Sequence, residues 1–214
     1  MKFDELVRLI LERVESVKEL KNKFDDENVN HFINDLVKLC KENGIKIELS
    51  NTEKVTAEDN LKCNGYFDGE KLVVATKNPL NLWLRILVHE SCHVDQSIEN
   101  KEWYNASNMH VSKIDNWLKD SKQEFKDKEE SYRSVAELEL DCEKRAIKKI
   151  KKYELPIDIN EYIKEANEYI LGYMKSRKTG KWDDGTKSLN KKIRESMPIK
   201  FLSINDYINL NHPK

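Results

Sequence analysis

Apolar residues recur at three- and four-residue steps along most of the chain and alternate in only a few short places. Leu6, Val7, Ile10, Val14 and Val17 share one helical face, as do Phe32, Ile33, Leu36, Val37 and Cys40. These stretches predict a pair of N-terminal helices, the second closed by Asn43-Gly44. Ile45 to Leu49 alternates apolar and polar residues as a short strand does. Tyr66-Phe67 and Leu72 to Ala75 flank Asp68-Gly69, the signature of a tight β-hairpin. Three or four short strands are the expected β content.

A long helix should follow. Asn78 suits an N-cap and Pro79 the first helical position, so the pattern predicts a helix from Pro79 to about Ile98. Leu80 to Val88 is apolar almost all round, which predicts burial on several sides. Smaller helices are expected near Val111 to Lys119, then a polar connector over Asp120 to Glu130. A second long helix is expected from about Tyr132 to Tyr153, ahead of Pro156, and another over roughly Ile159 to Lys175. The last forty residues carry a turn signal at Asp183-Asp184-Gly185 and a final apolar stretch with Phe201, Leu202, Tyr207 and Ile208. The pattern implies an α+β fold, mostly α-helical, in one domain over 1–214. Its parts are N-terminal helices (1–43), a small β-sheet with the long helix (44–98) and a helical remainder (99–214).

Composition narrows the classes. With 38 Lys+Arg against 39 Asp+Glu and a net charge of -1, the chain lacks the excess of positive charge expected of a nucleic-acid-binding face. The pairs Lys148-Lys149 and Lys151-Lys152 read as a solvated helix face. Met1 to Leu20 is charged throughout, unlike a secretory signal, and no window approaches the ~18 apolar residues that cross a bilayer. Cys40, Cys63, Cys92 and Cys142 are scattered without a CxxC pair, so a reducing cytoplasm is the expected compartment.

The chemistry lies in His89-Glu90-Ser91-Cys92-His93. Residues four apart share a helix face, so His89 and His93 can present two imidazole nitrogens to one Zn2+ ion. Glu90 lies about 100° round the helix, beside the ion without having to bind it. There it can act as general base on a water whose pKa the ion lowers toward about 7, and then as general acid toward the leaving amine. An HExxH arises by chance in roughly one chain per hundred of this composition, so the motif needs support. Without a ligand, two core-facing histidines would need other partners for their ring nitrogens. The competing reading is a buried, hydrogen-bonded histidine pair.

A catalytic zinc needs a third protein ligand and an open fourth position. Gln96 and Glu99 occupy the places where HExxHxxGxxH requires Gly and His, which excludes that pattern. Asp95 points about 200° away from His93 and is expected to support the site by a buried hydrogen bond. Glu99 and His110 stay open as ligands. The strongest source is Ala136 to Glu143, where Val135, Ala136, Cys142, Ala146 and Ile150 form one apolar face. Glu139 falls within that face, and a carboxylate there is costly without a partner such as zinc. Glu143, one turn on, borders the face and could accept an N–H from a ligating histidine. Glu137 and Asp141 share a side with Arg133, Lys144 and Lys148 and read as solvated.

His89-Glu90-Ser91-Cys92-His93 followed by Glu139-Leu140-Asp141-Cys142-Glu143 resembles the gluzincin group of metallopeptidases. In that group a Glu on a later helix completes the site, often with an acidic residue four positions on. The stretch from His89 to Gln96 is similar to small HExxH proteins of tailed bacteriophages. The resemblance implies a zincin-like fold, with a small sheet packed on the active-site helix and a peptide or protein substrate. It further implies that an extended substrate lies along the Tyr66-Phe67 strand. The family's Asn before the third-ligand Glu is Leu138 here. For the oxyanion, Tyr104, His110, Tyr132 and Tyr173 are all in contention, and spacing selects none of them. Two functions follow: a zinc-dependent peptidase, or a non-catalytic binding or regulatory protein that keeps a zinc site. No membrane or nucleic-acid partner is expected.

Overall fold

The computed structural model describes residues 26–57, 62–182 and 194–209. The helix expected over Leu6 to Val17 and the turn at Asp183 to Gly185 lie outside them. The described chain is mostly helical with a small sheet, and it divides into two compact units. One comprises the chain up to Ile98 together with Lys148–Ile157, the other Glu99–Ile147 with Asp158 onward.

In the first unit, α1 (Glu27–Glu42) begins where Asp26 Oδ1 accepts from the amides of Asn28 and Val29 at 2.9 and 3.1 Å. Its buried face is Val29, Phe32, Ile33, Leu36 and Cys40, as the periodicity requires. Asn43 and Gly44, at φ +70, end it. Among the described residues five strands follow rather than three or four. They are β1 (Lys46–Ser50), β2 (Val55–Thr56), β3 (Lys62–Cys63), β4 (Gly65–Phe67) and β5 (Lys71–Ala75). β5 lies centrally, parallel to β1 and antiparallel to β4, while β2 and β3 form a separate ribbon. Leu72 to Ala75 are all buried, which is why this strand reads as a continuous apolar run. Asp68 Oδ1 accepts from the amides of Glu70 and Lys71, and Gly69 takes φ +96, closing the expected hairpin.

α2 (Leu80–Glu99) carries the HExxH motif. Two expectations change at its start. The Asn78 side chain donates to the carbonyls of Glu53 and Ala75, so it ties the helix start to the end of β5. Leu82 is exposed, so the first turns are apolar without being buried all round. The close approach of sheet and helix falls at Gly65, where a Cβ would stand 2.6 Å from Ile86 Cγ2 and 2.9 Å from the Val73 carbonyl oxygen.

In the second unit, α3 (Lys101–Lys119) begins ten residues before the expected start, capped by Asn100. α4 (Lys128–Lys152) gives this unit its residues up to Ile147 and its last turn to the first unit. α5 (Ile159–Thr179) runs from an Asp158 N-cap to Gly180 at φ +66, and α6 (Ile204–Asn209) follows. Ile114, Tyr132, Val135, Ile170, Met174 and Tyr207 lie in one core cluster. Asn167 accepts from the Tyr207 hydroxyl and donates to the carbonyls of Pro198 and Lys200, holding the C-terminal segment on α5. Among the described residues no helix is long and apolar enough to cross a membrane.

Candidate metal centre on the HExxH helix

The polar second half of α2 is more deeply buried than its apolar first turns. Ser91, Cys92, His93, Val94, Gln96 and Ser97 are all buried, and His89 and Glu90 are half-buried. Buried polar groups need partners, and their partners define the site.

His89 and His93 turn toward each other with ring centroids 4.8 Å apart and planes at 83°. Their Nε2 atoms lie 3.2 Å apart. Two nitrogens on one tetrahedral zinc at about 2.0–2.1 Å would stand about 3.3–3.4 Å apart, so the pair fits a shared ion with little adjustment. The same spacing suits an N–H···N hydrogen bond in the absence of a metal. Geometry at this pair therefore admits both the metal and the hydrogen-bonded reading.

Gln96, given no role from the sequence beyond excluding one motif, touches a histidine directly. Its Oε1 lies 2.8 Å from His93 Nδ1. Its place three residues past His93 is a helical neighbour spacing that could have drawn notice.

Glu90 acts on Cys63, at the end of β3. Burial first, and the Glu90 carboxylate second, raise that thiol's pKa. The Glu90 charge thus reaches the β2–β3 ribbon, and Cys63 is a group under its influence that the sequence did not indicate.

Asp95, expected as support, pairs with Lys149 Nζ at 2.9 Å. Lys149 also donates to Ser91 Oγ at 2.9 Å and to the Ser91 carbonyl at 3.0 Å. This pins the end of α4 to the back of α2, midway between the two histidines. Cys40 lies in the same surroundings, its pKa pushed up to about 11 mainly by burial, with Lys149 lowering it and Asp95 raising it.

Tyr66 and Phe67 lie on β4, the edge of the three-stranded sheet among the described residues. Phe67 is buried, and Tyr66 packs against the small cluster of Val55, Val73 and Ala75. The strand's backbone edge, more than these side chains, is what it presents.

In the second unit, Glu139 and Glu143 are 5% and 4% exposed, so both belong to the buried face of α4. Glu139 lies close enough to Tyr173 to raise that phenol's pKa, after the larger effect of burial. Glu143 acts likewise on Tyr207. Glu137 pairs with Arg133 and Asp141 with Arg145, the solvated side that was expected. Glu99 also pairs with Arg145, at 2.8 Å. Of the oxyanion candidates, Tyr132 is hydrogen-bonded to Ser176 and His110 to Ser131, while Tyr104 is 2% exposed. Tyr173 feels the charge of a proposed ligand, Glu139.

Comparison with protein-family models, curated proteins and solved structures returns no match.

Proposed function

We propose that this protein is a zinc-dependent hydrolase of zincin-like fold that cleaves peptide bonds, with His89, His93 and Glu139 as metal ligands. The observation that carries the reading is the 3.2 Å approach of the two Nε2 atoms within an HExxH helix. It is supported by the burial of Glu139, a carboxylate that needs a strong partner where it lies. Zinc, when bound, supplies Lewis-acid polarisation of the scissile carbonyl and a water acidic enough to ionise near neutral pH.

The chain's own residues do the rest. Glu90, beside the ligands, takes a proton and returns it to the leaving amine. The outer edge of β4, at the margin of the three-stranded sheet among the described residues, offers backbone groups to an extended peptide. Glu143 supports the donor set from the turn after Glu139.

In a second reading, a zinc site kept for binding or regulation, Cys142 would join His89 and His93 as a donor. A thiolate together with Glu139 would close all four positions, as structural zinc sites do. Cobalt substitution separates the two, because thiolate ligation adds an intense near-ultraviolet charge-transfer band that a His/Glu/water set lacks.

Purified protein is expected to bind one zinc ion. Glu90→Gln should keep the metal and lose about 10²–10⁴-fold in peptide hydrolysis. Zinc retained by the His89→Ala/His93→Ala double variant would overturn the site. Failure of the zinc-loaded protein to cleave a proteome-derived peptide library would shift the function to the second reading.

A further inference from the structure

We propose that Gln96 is a positioning residue that locks His93 in the tautomer whose Nε2 is bare and directed at the metal position. This rests on the reading of His89 and His93 as ligands. Gln96 follows His93 by three positions on α2, and both side chains are buried (1% and 8% exposed). Its Oε1 stands 2.8 Å from His93 Nδ1. A carboxamide oxygen has no proton to give, so the proton of that bond belongs to Nδ1. A neutral imidazole carries one such proton, which leaves Nε2 as a lone-pair donor. Nε2 is the atom that faces its counterpart on His89 at 3.2 Å.

Free histidine favours the opposite, Nε2–H form, so the contact reverses an intrinsic preference before any metal arrives. It also fixes the ring's rotation, because the bond lies along the Nδ1–H direction. A metal then meets a ligand already oriented and already free of its Nε2 proton, which raises affinity by reducing reorganisation. The acceptor is a neutral amide. A carboxylate in its place would hold the same tautomer and make the imidazole more basic.

Long-range ¹H–¹⁵N NMR on metal-free protein reads the tautomer directly, and chelator competition reads zinc affinity. Wild type should show His93 as Nδ1–H. Gln96→Leu should shift His93 toward Nε2–H and weaken zinc binding about 10–100-fold. Gln96→Glu should keep Nδ1–H and bind zinc at least as tightly as wild type. An Nε2–H tautomer in wild type, a reading that needs no variant to fold, overturns the proposal. So does a Gln96→Leu affinity within twofold of wild type in a protein that binds zinc. Wild-type protein that takes up no zinc instead sinks the parent reading, and with it the use assigned to this tautomer.

Discussion

Replacing Lys149 with Met should destabilise the protein by about 3 kcal/mol, and the structure sets that figure. The ammonium makes three contacts at 2.9–3.0 Å, to Asp95 Oδ2, Ser91 Oγ and the Ser91 carbonyl. The Lys149 and Asp95 side chains keep 16% and 21% of their exposure. A fully exposed pair would be worth about 0–1 kcal/mol, whereas stripping one partner from a buried pair costs about 3–5 kcal/mol. Four-fifths burial puts Lys149→Met at the lower end of the second range. Methionine keeps the length and apolar stem of lysine, so the loss reports the charge and its hydrogen bonds more than packing.

Asp95→Asn should cost less, about 1–2 kcal/mol, because Lys149 keeps its bonds to Ser91. The double variant should lose about 1.5 kcal/mol less than the sum of the singles, that difference being the coupling of the pair. Urea unfolding followed by circular dichroism measures all four corners of the cycle. In a thermal melt the Lys149→Met loss corresponds to about 6–12 °C for a chain of this size. A coupling within error of zero, or a Lys149→Met loss below about 1 kcal/mol, would refute the view that this contact anchors the motif helix.

Two further outcomes follow from the first unit. Gly65→Ala should lower stability by about 1–3 kcal/mol, since its Cβ meets Ile86 Cγ2 at 2.6 Å and the unyielding Val73 carbonyl at 2.9 Å. An unchanged melting temperature would show that sheet and helix do not approach so closely there. Cys40, with its folded pKa at about 11 against an ordinary 9.0, binds its proton more tightly when folded. Its contribution is therefore complete below pH 9 and is lost as pH rises toward 11, by up to about 2.7 kcal/mol. Stability measured across pH 8–11 in wild type and Cys40→Ala should differ by that alkaline slope. Parallel curves would disprove it.

The elements legible in the sequence are those whose burial is one-sided. α1 shows its buried face as an unbroken apolar rhythm, and the β4–β5 turn is written in Asp68-Gly69. The start of α3 was hidden because its buried positions are Tyr104, Ser107 and Ile114. A buried serine interrupts the apolar pattern where a larger apolar residue would have continued it. β2 and β3 are two residues each, too short to alternate.

The candidate site divides along the same physical line. His89, Glu90 and His93 were readable because their relation is local, set by helix geometry alone. The Lys149–Ser91 contact spans 58 positions, and no local pattern could supply it. Gln96 is an intermediate case, since its spacing is local but glutamine is common on helix surfaces and marks nothing until its burial is known. What separates this stretch from an ordinary amphipathic helix is that Ser91, His93, Gln96 and Ser97 are buried along with its apolar residues. Burying Ser91, Cys92, His93 and Gln96 is tolerable because each of these finds a partner. Ser91 donates to the Val88 carbonyl and accepts from Lys149, and Gln96 accepts from His93. A core helix held for packing alone would be more stable with apolar residues at these positions. The retained polarity is therefore the best physical reason to look for chemistry at His89 and His93, and it predicts that function will be lost before the fold when those contacts are cut one at a time.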